Sequence, residues 1–328
     1  MTPTPSSRLK SWLYAAGVAA GGLVGALPAM AQTYPDKPIR VVIATAAGGA
    51  MDVTTRMVTD KLATKLGQPI IVENRGGAGG AIAAASVAKS APDGYTVLVV
   101  SAGYSTLPIL QPNLGFAPTD LVPVVPTVSL PYLIVTPANQ PYKTLGDFIA
   151  DAKKRPGQLT FPSGGNGTSG HLIASWLKLE AGIDVLHVPY KGEGPALQGL
   201  LGDQLQMMPV TISAGLPLVK SGKLRALAIT GAKRSSLLPD VPTIEEQGVP
   251  VHSSTWFGML APAGVPKAVL AKLNEAVNDC LQDPALRAAF IDQGIEIEGG
   301  TQDNFRQLIQ KEGATWARVI KAANIKAE

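Results

Sequence analysis

The sequence predicts an α/β fold of two lobes, each a mostly parallel sheet flanked by helices, joined by a hinge that the chain crosses twice. Three observations carry this. Short apolar runs recur, each followed by a turn rich in glycine or proline and then a segment with helical period. The same grammar fills the chain before residue 102 and again from 122 to 229. Beyond Leu260 the chain turns largely helical, with too few strands for a third sheet. The composition agrees. Of 328 residues 46% are hydrophobic and 16% charged, with 35 Gly and 27 Pro, which excludes a disordered tail or a long coiled coil.

The elements follow in order. Arg8 and Lys10 precede an uncharged apolar run from Trp12 to Leu27, and Ala29-Met30-Ala31 is a small-residue cleavage site. This is the layout of a secretory signal peptide over residues 1–31, and the run is too short for a membrane span. Export to the periplasm follows as an expectation. The formal net charge is +4, and removal of Arg8 and Lys10 brings it closer to neutral. No basic stretch suggests nucleic acid. Cys280 is the sole cysteine, so no internal disulfide is expected. It shares a helix stripe with Leu270, Leu273 and Val277, which favours a buried small residue over a reactive thiol.

Ile39–Ile43 reads as a buried strand. Ala46 to Asp52 forms a glycine turn, and Val58, Leu62 and Leu66 mark the helix after it, stopped by Gly67. Strands at 69–73 and 96–101 flank a second glycine loop, 76–80, and an alanine-rich helix. Further strands are expected at 122–128, 132–136, 159–161, 185–188, 205–210, 224–229 and 256–260. Thr144 and Asp147 have capping-box spacing for a helix to about Lys154. A Gly/Ser loop, Ser163 to Gly170, opens another helix at His171. Pro195, Pro266 and Pro284 begin helices, and a last one after Thr301 carries Phe305, Leu308, Ile309, Trp316, Val319 and Ile320 on one face. Lobe one is expected over 32–131 plus 255–328, and lobe two over 132–254.

The usual signatures of catalysis are missing. His171, His187 and His252 lack zinc-site spacing, no phosphate-binding loop or nucleophile elbow is present, and Ile82 replaces the third glycine of a dinucleotide fingerprint. No catalytic residue, metal or cofactor is expected. What recurs is a strand, a small-residue turn and a helix start. The first N–H groups of a helix lack partners and sit at its positive end. Glycine lets a ligand approach the backbone. Two such starts across a cleft would hold an anion. Three or four charge-assisted bonds at ~1.5–3 kcal/mol each approach the ~8 kcal/mol of a micromolar ligand.

The candidate ligand-binding residues are therefore Ala47, Gly48, Gly49, Met51 and Asp52 in the first turn. In the second they are Ser163, Gly164, Asn166, Gly167, Thr168, Ser169 and His171. Asp52 reads either as a helix cap or as a ligand contact, and His171 as a donor in the cleft or a structural group. Lys191 either faces the anion or is an exposed lysine. Tyr104, with Ser105, is a candidate wall against an apolar ligand body, and Trp256 is either hinge core or cleft wall. A valine at Gly167 is expected to obstruct the ligand without unfolding the protein.

Several stretches now coincide in order: YPDKPIRVVI (34–43), LGQPIIVENRGGAGG (66–80), APDGYT (91–96), SGGNGTSGHL (163–172), VPYKGEGPA (188–196), LPDVPTIEEQGVP (238–250) and WFGMLAPAGVPK (256–267). Together they resemble the substrate-binding receptors of tripartite tricarboxylate transporters, the Bug proteins. The resemblance implies a periplasmic-binding-protein fold of type II-like form, a monomer without cofactor. It also implies that the turns at Ala46–Asp52 and Ser163–His171 grip a carboxylate for a membrane permease or a membrane sensor. Two departures stand out. Ala46-Ala47 replaces a usual proline. Gln206 to Thr211 lacks the family's acidic residues, which implies a cleft suited to a mono- or dicarboxylate, including an aromatic acid, with Thr211 at its wall. A sensing adaptor is the alternative reading, and a cleft hydrolase or transferase a remoter one.

Overall fold

The computed structural model describes residues 34–45, 47–111, 113–190 and 192–325; the proposed signal peptide, Ala46 and Lys191 lie outside them. Ile39–Ile43 (β1) is buried at four of its five positions, as an apolar run covered on both faces must be. Ala50–Leu66 (α1) ends on Gly67, whose φ of 66° supplies the left-handed turn a C-cap needs. Ile70–Asn74 (β2), Ala81–Ala88 (α2) and Thr96–Ser101 (β3) follow, and β1 pairs in parallel with both β2 and β3. A 3-10 stretch over Ala102–Thr106 and the short helix Leu107–Leu110 (α3) close this unit.

Leu121–Pro137 (β4) is one 17-residue strand where the sequence suggests two. The expected gap at 129–131 is absent: Ser129, Leu130 and Pro131 stay paired with Trp256, Thr255 and Ser254, and the register shifts fall between Pro123 and Val125 and between Pro126 and Val128. A proline at a bulge removes no ladder bond that the strand depends on. The chain continues through Leu145–Lys154 (α4), Thr160–Ser163 (β5), Ser169–Ala181 (α5), Leu186–Pro189 (β6), Glu193–Leu201 (α6), Met208–Thr211 (β7), Ile212–Lys220 (α7) and Leu224–Ile229 (β8). Ser254–Pro262 (β9), Lys267–Cys280 (α8), Pro284–Ile291 (α9), Glu296–Ile297 (β10) and Gln302–Ala322 (α10) complete it.

β4 pairs with β9 up to Pro131, and from Tyr132 onward with β7 and β8. Pro131 lies opposite Ser254, so two strands pass side by side between the halves of the fold. One half is built on β1, β2, β3 and β9, the other on β7, β8 and the separate parallel pair β5–β6. The architecture is the expected α/β type, but among the described strands parallel pairing is confined to β1–β3 and β5–β6, beside one isolated parallel bridge from Ile229 to Thr243. The other pairings are antiparallel, because β4 and β9 run against their neighbours.

Helix α10 serves both halves. Phe305 lies fully buried in the core of the first, its ring edge-on to Trp256 at 5.1 Å. Trp316, Val319 and Ile320 are buried in the core of the second, where Trp316 meets Trp176 at 5.6 Å. Cys280 is a buried free thiol on α8.

The start of α4 shows how local sequence sets an element. Asp147 N–H donates to Thr144 Oγ1, and the Asp147 carboxylate accepts from the Thr144 N–H. Thr144→Ala removes the acceptor side of this box and is expected to lower stability by about 1 kcal/mol, read as a lower urea midpoint at unchanged m.

Candidate functional site

The turns after β1, β3, β5 and β7 converge on one cavity of about 570 Å³. Gly49, Ala50 and Met51 come from the first turn and α1; Ser101 ends β3, and Gly103 and Thr106 follow it. Asn166, Gly167, Thr168 and Ser169 follow β5, and Thr211 ends β7. The two sides come close: a Cβ built on Gly167 would lie 2.8 Å from Leu110 Cδ1 of α3.

Its electrostatics come from backbone. None of the described lining residues carries a charged side chain. The N-caps of α1 (Gly49), α5 (Thr168) and α7 (Thr211) make no side-chain capping bond. The first-turn N–H groups of these helices therefore lack the side-chain acceptor that usually satisfies one of them. Gly49 and Ala50, Thr168 and Ser169, and Thr211 place all three of these helix starts on the cavity wall. An uncharged cavity with such donors suits an anion.

Other candidates hold the turns from behind. Ala47 and Gly48 are exposed in the first turn but do not line the cavity. Asp52 is buried, and its carboxylate accepts from Gly48 N–H at 2.9 Å, Arg56 Nε at 2.9 Å and Asn74 Nδ2 at 3.0 Å. Burial works to raise its pKa, but the bonds from Gly48 and Asn74 and the Arg56 charge outweigh it and hold the pKa below the usual range. Asp52 shapes the turn and does not face the cavity.

In the second turn Ser163 is fully buried, its Oγ 2.6 Å from His187 Nε2. Gly164 packs against the backbone at Gly192 and Glu193, where a Cβ would fall 3.0 Å from Glu193 N. His171 Nδ1 accepts from the Gly167 N–H at 3.1 Å, so that amide is taken up by the protein itself. The His171 and His187 rings stack at 3.8 Å with an 8° interplanar angle, and Phe161 stacks on His187. Burial pushes both imidazoles down to about 4, helped at His171 by His187 and at both by Lys178. Both line a separate cavity behind the turn with Phe161 and Lys178.

The expected aromatic walls are replaced. Tyr104 is packed in the first core with Leu107 and Trp256, and burial pushes its hydroxyl up to about 12. Ser105 Oγ donates to Ala102 O at 2.6 Å. Trp256 is core, at 1% exposure. The aromatic lining residues are Tyr132 and Phe257. Strand alternation explains the exchange: adjacent residues of β9 face opposite sides, so burying Trp256 turns Phe257 toward the cavity. Ala78 and Gly79 also line it, from the loop whose glycine spacing fails the dinucleotide pattern.

The expected absence of acid near Thr211 is also corrected. Glu193, at the start of α6, accepts from Thr211 N–H at 2.7 Å and from Thr211 Oγ1 at 3.0 Å. The acid missing from residues 206–211 is supplied from another element. Gly167 needs a correction as well. Its φ of 72° and the Leu110 contact make a valine there strained, so that substitution does not test ligand obstruction alone.

The model of the tripartite tricarboxylate transporter family receptor matches residues 54–325. Protein BugT of Bordetella pertussis is 37% identical over 308 residues, covering 92% of this chain and 94% of BugT. An R. palustris protein solved with adipate is 32% identical with a TM-score of 0.81, covering 90% of this chain and all of that one. MatC from Rhodopseudomonas palustris with bound malate is 33% identical with a TM-score of 0.76, covering 88% of this chain and all of MatC.

Proposed function

The chain belongs to the tripartite tricarboxylate transporter receptor family of periplasmic solute-binding proteins, and from that premise we propose that it captures one small carboxylate in the cavity between its two halves. The observation that carries the reading is the pair of helix starts, α1 and α5, without side-chain caps on the wall of a cavity with no charged described lining residue. A carboxylate there accepts from backbone N–H groups, with no arginine needed. Tyr132 and Phe257 border the ligand's carbon chain. The adipate and malate held by the two R. palustris proteins are the chemistry such a cavity would accept.

Capture without turnover fits the side chains. Ser163 and His187 stand at hydrogen-bond distance, but neither lines this cavity and Ser163 is fully buried. Binding would be followed by delivery to a membrane permease. None of the helices among the described residues is long and apolar enough to cross a membrane.

Native mass spectrometry of freshly purified protein should show a bound small acid, and calorimetry with the stripped protein should show saturable binding of a mono- or dicarboxylate. Binding confined to sugars or cationic solutes would refute the proposal. Delivery is tested separately: deletion of the gene should abolish uptake of the identified acid by cells.

A further inference from the structure

A second cavity, of about 450 Å³, lies behind the turn at Ser163–His171 and shares no described lining residue with the main one. Four of its lining residues, His171, Ser175, Lys178 and Leu179, fall on one face of α5 at helical spacing. His171 is 7% exposed and Ser175 5%. His171 Nδ1 accepts from the Gly167 N–H, so the proton of the neutral ring sits on Nε2. That Nε2–H meets no acceptor among the described residues, and neither does the Ser175 hydroxyl. Neither atom is sealed inside the protein, in contrast to the unpartnered Ser253 Oγ and Trp256 Nε1. Two donors, each on a side chain more than nine-tenths buried, therefore open into this cavity.

Lys178 supplies a cation. Its ammonium donates to Val185 O and to Asp184 Oδ1, which commits two of its three N–H groups. Its charge reaches both stacked imidazoles, since it lowers the pKa of each. No carboxylate is among the described lining residues, and Leu179, Ile183, Ala322 and Ala323 give the cavity apolar surface. An anionic head with a short hydrocarbon body matches that pattern.

We infer that this cavity is a second ligand site, which takes a small amphipathic monocarboxylate on His171, Ser175 and Lys178. The His171 ring joins it to the main cavity, because Gly167 lines that one. A carboxylate on Nε2–H makes Nδ1 the better acceptor, since hydrogen bonds in a chain polarise one another. Occupancy of the second site thus firms the turn at Gly167. The site goes beyond the capture of a carboxylate in the main cavity and does not rest on it.

The probe is hexanoate. It is titrated into isotopically labelled Gly49→Val protein, in which a side chain enters the main cavity, and should shift the His171 Nε2 resonance saturably. In that background Lys178→Met should weaken binding roughly tenfold and Ser175→Ala severalfold, while Lys178→Arg, which keeps the charge, should stay within about threefold of the parent. Hexylamine, with the same body and the opposite charge, should leave His171 unmoved. Thermal unfolding of each variant separates lost binding from lost fold. The Gly167 amide should exchange with solvent roughly threefold or more slowly once hexanoate is bound. No saturable His171 shift, or equal hexanoate affinity in folded Lys178→Met, overturns the second site, and unchanged Gly167 exchange overturns its link to the turn. Failure of the wild type to bind any carboxylate in the main cavity overturns the functional reading alone, because the His171 shift in the Gly49→Val background still decides this site.

Discussion

Gly49→Val is expected to weaken carboxylate binding by roughly a hundredfold or more while the folded protein keeps its unfolding midpoint to within a few degrees. Gly49 lines the cavity at the start of α1, with φ −82° and ψ 169°, a conformation that valine adopts readily. A Cβ there meets no protein atom within 4 Å. The added side chain therefore enters open space beside the helix start. The cost to the helix is small, since a poor N-cap residue replaces glycine, at about 1 kcal/mol or less. Gly167 offers no comparable test, because there the left-handed backbone and Leu110 both resist a side chain. Calorimetry and thermal unfolding of the same preparation separate the two effects. Unchanged affinity would remove the first turn from the site.

Acidification from pH 6.5 to pH 4 should lower stability by on the order of 3 kcal/mol through the stacked histidines. Both are held near 4, below the ordinary 6.5 of imidazole, mainly by burial. Between these values the unfolded chain binds protons that the native protein does not. Stability therefore rises with pH across the window, is fully present above about 6.5, and is lost as pH falls through the native value. His187 is partly exposed, so its share is discounted against that of buried His171. The carboxylates whose pKa lies below normal, Asp52 and Asp147 among them, lose their contribution only at lower pH. His171→Asn keeps an acceptor near Nδ1 for the Gly167 amide, and His187→Gln keeps a polar partner near Nε2 for Ser163. The double variant should show a flattened stability profile between pH 4 and 6.5 in urea titrations. A slope equal to that of the wild type would show that the pair does not titrate as described.

Much of the fold is legible because it is local. β1, β3 and β8 have the ends that apolar runs and their flanking turns assign. The helices at Pro284 and after Thr144 and Thr301 begin where cap chemistry puts them. β4 is where local reading fails. Residues 129–131 read as a gap between two strands until β9 is seen beside them, pairing Ser129, Leu130 and Pro131 without interruption. β10 is two residues long, and its identity rests on pairing with Ser129 and Val128 of β4.

The site divides along the same line. Glycine turns ahead of helices are written in adjacent residues, so Gly49, Met51, Asn166, Gly167, Thr168 and Ser169 could be picked out before any tertiary contact was known. Which neighbours in those turns face the cavity is a matter of side-chain direction. Asp52 turns back to Gly48, Arg56 and Asn74, and His171 stacks beneath the turn on His187. Thr211 was also a sequence candidate, but Tyr132, Phe257 and the bonds from Thr211 to Glu193 came to light only once separate elements were packed together, since no spacing along the chain relates them. Backbone dihedral preference and hydrophobic period act over a few residues and are carried by the chain itself. The polarity of a wall depends on which distant side chain lands against it, and only the folded arrangement of strands settles that.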